Sequence, residues 1–302
     1  MKILLFGKDG QLGWQLQRSI IGLGAVHAYG RAEADFQSPE QIAKIVRTVQ
    51  PNIIINAAAY TAVDKAESEA DKAQTINAET VQILAQEAQK IGAWLIHYST
   101  DYVFDGTKGA PYTEDDTTNP LSIYGQSKRA GELAIADNHD KYLIFRTSWL
   151  YAAMGHNFAK TMLKLAKERD ALNIINDQHG APTSAVFVAD ATALIVQQIK
   201  DRKLDQSCAG LYHLSAQGST SWYEYACYII DRARKTYQAE LIDPRNIQPI
   251  PTSGYPTPAP RPLNSRLNTK KLTQTFDIHP PDWHYHVDQL IKELYTLSGW
   301  NT

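Results

Sequence analysis

Apolar positions change period in a regular way along the first half of the chain. Ile3, Leu4, Leu5 and Phe6 form an unbroken run of strand length that stops at Gly7, after which Leu12, Leu16, Ile20 and Ile21 mark one face of a helix. Residues 25–29 predict a second strand, ending at Gly30-Arg31, and Pro39 opens a helix carried by Ile42, Ile45, Val46 and Val49. The run Asn52-Ile53-Ile54-Ile55-Asn56 predicts a third strand. Ala73, Ile76, Thr80, Ile83, Leu84 and Ile91 then predict one helix over 67–91, capped by Gly92. A strand over 93–98, a helix over 122–138 and a strand over 142–147 follow. Apolar strands that alternate with amphipathic helices imply a parallel sheet covered on both faces, joined by right-handed crossovers. Ligands of such a sheet sit beyond the carboxyl ends of its strands.

The second half is less regular. Helices are predicted over 157–168, 184–200, 221–237 and 283–297, with strands over 172–176 and 211–214. Six prolines fall within residues 249–262, which removes the donors a helix or central strand needs. With Arg261, Asn264 and Arg266 following at once, that segment reads as an ordered extended loop. The fold class is therefore α/β, a Rossmann-like doubly wound parallel sheet with a smaller, mixed α/β C-terminal domain. Residues 1–150 are expected to bind a dinucleotide. Residues 151–302 are expected to be mainly substrate-binding, with some segments returning to the first domain.

Composition narrows the function classes. The 302 residues are 43% hydrophobic and 21% charged, and 30 Lys and Arg balance 32 Asp and Glu. Nothing in that balance argues for nucleic acid or an anionic membrane as a partner. No apolar run approaches the ~20 residues of a spanning helix, and Ile3 to Phe6 is too short for a signal-peptide core. Cys208 and Cys227 lack CxxC partners, which fits a reducing cytoplasm. The nine histidines do not cluster at ligand spacing, so no catalytic metal is expected; His284 and His286 form the nearest pair.

Gly7, Gly10 and Gly13 recur at three-residue spacing between the first strand and its helix. Such a turn lets backbone approach a pyrophosphate, and the helix N-terminus supplies N–H groups and a favourable dipole. Asn56-Ala57-Ala58-Ala59 follows the third strand with small side chains, against which a cofactor can lie. Tyr124 and Lys128 stand four apart on one helical face. Tyr-x-x-x-Lys is the acid/base pair of short-chain dehydrogenases, in which the tyrosine protonates a carbonyl oxygen as hydride arrives from a nicotinamide. A free phenol has a pKa near ~10, and a neighbouring cation is expected to lower it. With 16 tyrosines and 18 lysines in 302 residues, chance supplies about one such spacing, so placement decides. The strand ending Tyr98-Ser99-Thr100-Asp101 precedes the pair, and a hydroxyl at Thr100 can orient a substrate carbonyl for Tyr124. Asp64 and Glu67 read as a solvated helix start rather than a catalytic carboxylate pair.

With these residues in hand, the sequence resembles the dTDP-4-dehydrorhamnose reductase family, an extended branch of the short-chain dehydrogenases, over nearly its whole length. The matching blocks are Gly7-Lys8-Asp9-Gly10-Gln11-Leu12-Gly13, residues 56–67 around Asn56-Ala57-Ala58-Ala59-Tyr60-Thr61, and Ser99-Thr100-Asp101-Tyr102-Val103-Phe104-Asp105-Gly106. Tyr124-Gly125-Gln126-Ser127-Lys128, Arg146-Thr147-Ser148-Trp149-Leu150-Tyr151, Asp177-Gln178-His179-Gly180-Ala181-Pro182-Thr183 and Arg261-Pro262-Leu263-Asn264-Ser265-Arg266-Leu267 complete them. The resemblance implies reduction of the 4-keto group of dTDP-4-dehydro-L-rhamnose to dTDP-L-rhamnose, with Thr100, Tyr124 and Lys128 catalytic. It implies cofactor contacts from Gly7, Gly10, Gln11, Leu12, Gly13, Arg31, Asp35, Phe36, Ala57, Ala58 and Ala59, together with Tyr124 and Lys128. Thr61, Val63, Thr100, Tyr102, Trp149 and Asn157 would face the dTDP-sugar. The proline-rich loop would close over the nucleotide, with Arg261 or Arg266 neutralising its diphosphate through bidentate donors.

Two departures from the family pattern carry expectations of their own. The strand-two acid that would grip a ribose 2′-hydroxyl is replaced by Gly30, and Arg31 follows, which favours NADPH with NADH as the alternative hydride donor. Some members bind magnesium at a dimer contact through a carboxylate just after the glycine motif. Gln15 stands there, so a homodimer, where one forms, is expected not to be metal-bridged. Two rival readings are a reductase of another nucleotide-4-keto-6-deoxysugar, such as one forming a 6-deoxytalose, and a non-catalytic nucleotide-binding regulatory subunit. The second predicts decay of Thr100, Tyr124 and Lys128, all of which are present.

Overall fold

The computed structural model describes residues 1–296. In chain order its elements begin β1 (Lys2–Phe6), α1 (Gln11–Ile20), β2 (Ala25–Tyr29), α2 (Pro39–Val49), β3 (Ile53–Asn56), α3 (Val63–Ala66), α4 (Ala70–Gln74), α5 (Thr80–Ile91), β4 (Trp94–Thr100), α6 (Ile123–Asn138) and β5 (Tyr142–Thr147). They continue β6 (Leu150–Tyr151), α7 (Phe158–Glu168), β7 (Leu172–Ile175), β8 (His179–Gly180), β9 (Thr183–Ser184), α8 (Ala185–Lys200), β10 (Gly210–His213), β11 (Thr220–Ser221), α9 (Trp222–Tyr237), β12 (Ile247–Ile250), α10 (Lys270–Phe276) and α11 (Trp283–Thr296). The last helix was expected to reach residue 297, which lies outside the described residues.

Six parallel strands form the central sheet in the order β10-β5-β4-β3-β1-β2. The chain leaves β1 towards β2 on one side and returns to β3 on the other, so the winding reverses between β1 and β3. Alternation along β1 serves both faces. Ile3 and Leu5 pack with Leu12, Leu16, Val188 and Ile195 of α1 and α8, whereas Leu4 and Phe6 pack with Ile42, Val46, Leu84 and Ile135 of α2, α5 and α6. A third core joins α7, α9 and α11 through Leu163, Tyr225, Ile229, Val287 and Ile291.

Two expectations change. The helix expected over 67–91 begins only at Ala70 and runs to Ile91 with a wide π-type turn at Thr75–Glu79, which joins α4 to α5. Asn77, buried in that turn, accepts the Tyr60 N–H at 2.9 Å and donates to Tyr60 O and Ser127 Oγ. Its backbone lies so near α6 that a Cβ on Gly131 would sit 2.1 Å from Asn77 O. A turn that widens to seat another helix is invisible to apolar periodicity. The proline-rich segment begins as β12, which pairs in parallel with β7 through Ile247↔Leu172 to Ile250↔Ile175. A two-stranded edge tolerates Pro249 where a central strand would not. From the second half, β10 joins the main sheet beside β5, and α8 packs on α1.

Candidate active site

At the point where the winding reverses, Gly7 ends β1 with φ +82, and a Cβ on it would lie 2.7 Å from the backbone of Ala57. Gly13 sits equally close: its Cβ would fall 1.9 Å from Gly7 O. These two positions exclude side chains by contact, and Gly10 begins α1 with no side-chain cap, leaving the first-turn N–H groups for an anion. A cleft of about 350 Å³ opens there, and Gly7, Gly10, Arg31, Asp35, Phe36 and Ala57 are among its walls. Ala58, Ala59 and Thr61 extend the same wall. The donor-rich turn, small side chains and shape fit a dinucleotide. Leu12 is buried in the α1 face of the core, and Phe36 packs edge-on against Phe6 at 5.3 Å. The Asp35 carboxylate accepts the N–H of Gln37 and so shapes its own loop.

Gln11 and Asn157 form a pair that their sequence separation conceals. Gln11 Oε1 accepts from the Ala152 N–H at 3.0 Å and from Asn157 Nδ2 at 3.1 Å. Asn157 Nδ2 also donates to Ala152 O, and Oδ1 caps α7 by accepting from the Lys160 N–H. The Asn157 side chain, expected to face substrate, thus ties the glycine turn to the start of α7.

The catalytic candidates meet at the carboxyl end of β4. Ser122 Oγ caps α6 by accepting the Gly125 N–H, and the Ile123 N–H goes to Glu67 Oε1 at 2.9 Å. Glu67 is therefore not merely part of a solvated helix start: it fixes the helix that presents Tyr124 and Lys128. The Tyr124 phenol is within hydrogen-bonding reach of Thr100, and burial pushes it up to about 12, against the opposing pull of Thr100. The expected downward shift by Lys128 is not what the fold sets, because the Lys128 Nζ is turned to Tyr98 O at 2.7 Å and His97 Nε2 at 3.2 Å. Burial in turn lowers Lys128 to about 8. His97, fully buried, is held neutral, and its Nδ1 lies 3.1 Å from Asn56 Nδ2, whose Oδ1 receives the Ala58 N–H.

Sequence reasoning missed several contributors. Asp101 accepts from Thr100 Oγ1 at 2.9 Å and from Ser148 Oγ at 3.1 Å, and burial raises its carboxyl to about 6. Its adjacency to Thr100 was the available signal. Asp64, read as part of the same solvated start, instead pairs with Arg261 Nη2 at 2.8 Å and accepts the Ala259 N–H. Arg261 also lies beside Tyr102, which meets the Tyr124 ring edge-on at 6.1 Å. Val63 opens α3 immediately before Asp64. Arg266 is engaged elsewhere: Nη2 donates to Gly109 O and Nε to Asn264 Oδ1. Trp149 has a left-handed backbone, φ +47, and stacks on Trp222 with ring centres 3.5 Å apart. Among the described residues no group of His, Cys, Asp and Glu could hold a metal, and no helix is long and apolar enough to cross a membrane.

A doubly wound sheet with a glycine cradle and a Thr, Tyr, Lys set at the adjacent strand end defines an extended short-chain dehydrogenase/reductase. Residues 1–296 match the family model described as the RmlD substrate binding domain. The chain is 51% identical to the dTDP-4-dehydrorhamnose reductase of Escherichia coli K12, over 99% of this chain and 100% of the relative. It is 46% identical to that of Burkholderia thailandensis, over 97% and 99%. The crystal structure of the Bacillus anthracis dTDP-4-dehydrorhamnose reductase in complex with NADP superposes with a TM-score of 0.88 at 34% identity, covering 97% of this chain and 99% of that one. The chain belongs to the dTDP-4-dehydrorhamnose reductase family.

Proposed function

We propose that the protein catalyses the NADPH-dependent reduction of the 4-keto group of dTDP-4-dehydro-L-rhamnose to dTDP-L-rhamnose, the last step in making that nucleotide sugar. The observation that carries the reading is the convergence of Thr100, Tyr124 and Lys128 at the end of β4, in a chain with 51% identity to an enzyme of that name. The nicotinamide, when bound, supplies the hydride. Tyr124 stays protonated at neutral pH and gives its proton to the keto oxygen as charge grows there. Thr100, whose hydroxyl proton goes to Asp101 in the free site, turns it to that oxygen when substrate binds, and charged Lys128, held by Tyr98 O and His97, is assigned to a ribose hydroxyl of the cofactor. We assign the cofactor to the cradle at Gly7–Gly13 with Ala57–Ala59, and the sugar nucleotide to the side bearing Thr61, Tyr102, Trp149 and Arg261.

We divide the labour between residues 1–150 for the dinucleotide and 151–302 for the substrate, with β10 and α8 serving the sheet. The cytoplasm is the proposed compartment, consistent with two unpaired cysteines. Self-association is proposed to need no bridging metal, because Gln15 offers an amide in place of a carboxylate.

The test is to mix the protein with enzymatically prepared dTDP-4-dehydro-L-rhamnose and follow NADPH oxidation, with Tyr124→Phe in parallel. Rapid oxidation that collapses in the variant supports the reading. Tight cofactor binding without turnover would redirect the assignment to another 4-keto sugar.

A further inference from the structure

The end of the second strand is where a doubly wound sheet meets the adenosine ribose of its dinucleotide. Gly30 occupies that position and lines the cleft beside Asp9 and Arg31, so the strand itself brings no acid there. An acid arrives from three residues further on. Glu33 folds back so that Oε2 accepts the Gly30 N–H at 2.7 Å, and both its oxygens accept from Lys8 Nζ at 2.8 Å. The Asp9 carboxylate is 3.5 Å from the same ammonium. A Cβ on Gly30 would lie 1.8 Å from Asp9 Oδ2 and 3.0 Å from Glu33 Oε2, so two carboxylates crowd the site a strand-end side chain would fill. Hydrogen bonding to Lys8 holds the Glu33 carboxyl below its usual range.

The charges decide what this cluster selects. Arg31 attracts a 2′-phosphate, Asp9 and Glu33 repel it, and Lys8, which could reach for it, is committed to Glu33. A bare 2′-hydroxyl, by contrast, can donate to a carboxylate. We propose that Glu33 is a specificity-determining residue for the cofactor: it stands in for the missing strand-end acid and, by holding Lys8, limits the NADPH preference that Arg31 creates. This deepens the dinucleotide reading of the cleft and does not depend on which sugar is reduced.

The experiment is calorimetric titration of NADP⁺ and NAD⁺ into the full-length protein, Glu33→Gln and the double variant Glu33→Gln/Lys8→Met, at low and high salt. The amide keeps an acceptor for the Gly30 N–H and removes only the charge. Glu33→Gln is expected to tighten NADP⁺ relative to NAD⁺ by about five-fold, the scale of one exposed charge contact. Salt and the Lys8→Met replacement are both expected to erase that gain. Equal changes for the two cofactors would mark a merely structural glutamate and overturn the proposal. A wild-type protein that binds neither would remove both the proposal and the cofactor reading. A wrong sugar assignment shows only in turnover and leaves these affinities unchanged.

Discussion

Arg261 reaches Asp64 at 2.8 Å across 197 residues of sequence, and the same carboxylate accepts the Ala259 N–H at 3.2 Å. One acid at the start of α3 thereby holds the end of the proline-rich loop beside Tyr102. Asp177 holds its beginning, accepting the Thr252 N–H and hydroxyl. Asp64→Asn is expected to raise KM for the sugar nucleotide about ten-fold while kcat changes little. The part-exposed pair itself contributes at most about 1 kcal/mol to stability. Steady-state kinetics beside thermal unfolding checks this: a large fall in Tm with unchanged KM would contradict the positioning role.

Lys128 is expected to give the activity a pH signature. Burial lowers it to about 8, so it is charged below that pH and loses its proton as pH rises through it. Tyr124, near 12, keeps its proton across the same range. The kcat/KM for reduction should therefore fall above about pH 8, and Lys128→Arg should move that fall well to the alkaline side even where the rate is lower. A pH profile with no limb near 8 in the native protein would separate Lys128 from the rate.

Glu132 stands one helical turn beyond Lys128 and receives Arg146 Nε and Nη2 at 2.8 and 2.7 Å, with both side chains almost wholly buried. Breaking one member of a buried pair leaves the other uncompensated, so Glu132→Gln should cost roughly 3–5 kcal/mol in denaturant unfolding. Glu132 also raises the Lys128 pKa through its charge, against the larger effect of burial. The variant's alkaline limb should accordingly shift to lower pH.

Trp222 stacks on Trp149, and Gly180 lies against the same indole: a Cβ there would lie 2.6 Å from Trp149 Cε2. Trp222→Ala removes an aromatic pair worth about 0.5–1.5 kcal/mol and frees a strained residue. The expected result is up to about a ten-fold rise in KM for the sugar nucleotide with unaltered NADPH affinity. Kinetics alongside cofactor titration checks the split.

Much was legible along the chain because it is written locally. Strands β1 to β5 and their helices announce themselves in apolar runs and 3.6-residue stripes, and Gly7, Gly10 and Gly13 mark a tight turn. Tyr124 and Lys128 share a helical face by spacing alone. The tertiary structure decided what depends on side chains meeting across long loops. It widened the helix expected over 67–91 at the turn where Asn77 meets α6, turned Asn157 towards Gln11, and engaged Arg266 with Gly109. It also set Asp64 on Arg261 and brought Glu33 back to Gly30. Burial, too, is a property of the assembled core: it raised Tyr124 and lowered Lys128, where spacing had suggested only that a cation would lower a phenol. Periodicity fixes which face of an element is apolar, but the partner of a polar group and the dielectric around it exist only once distant segments pack.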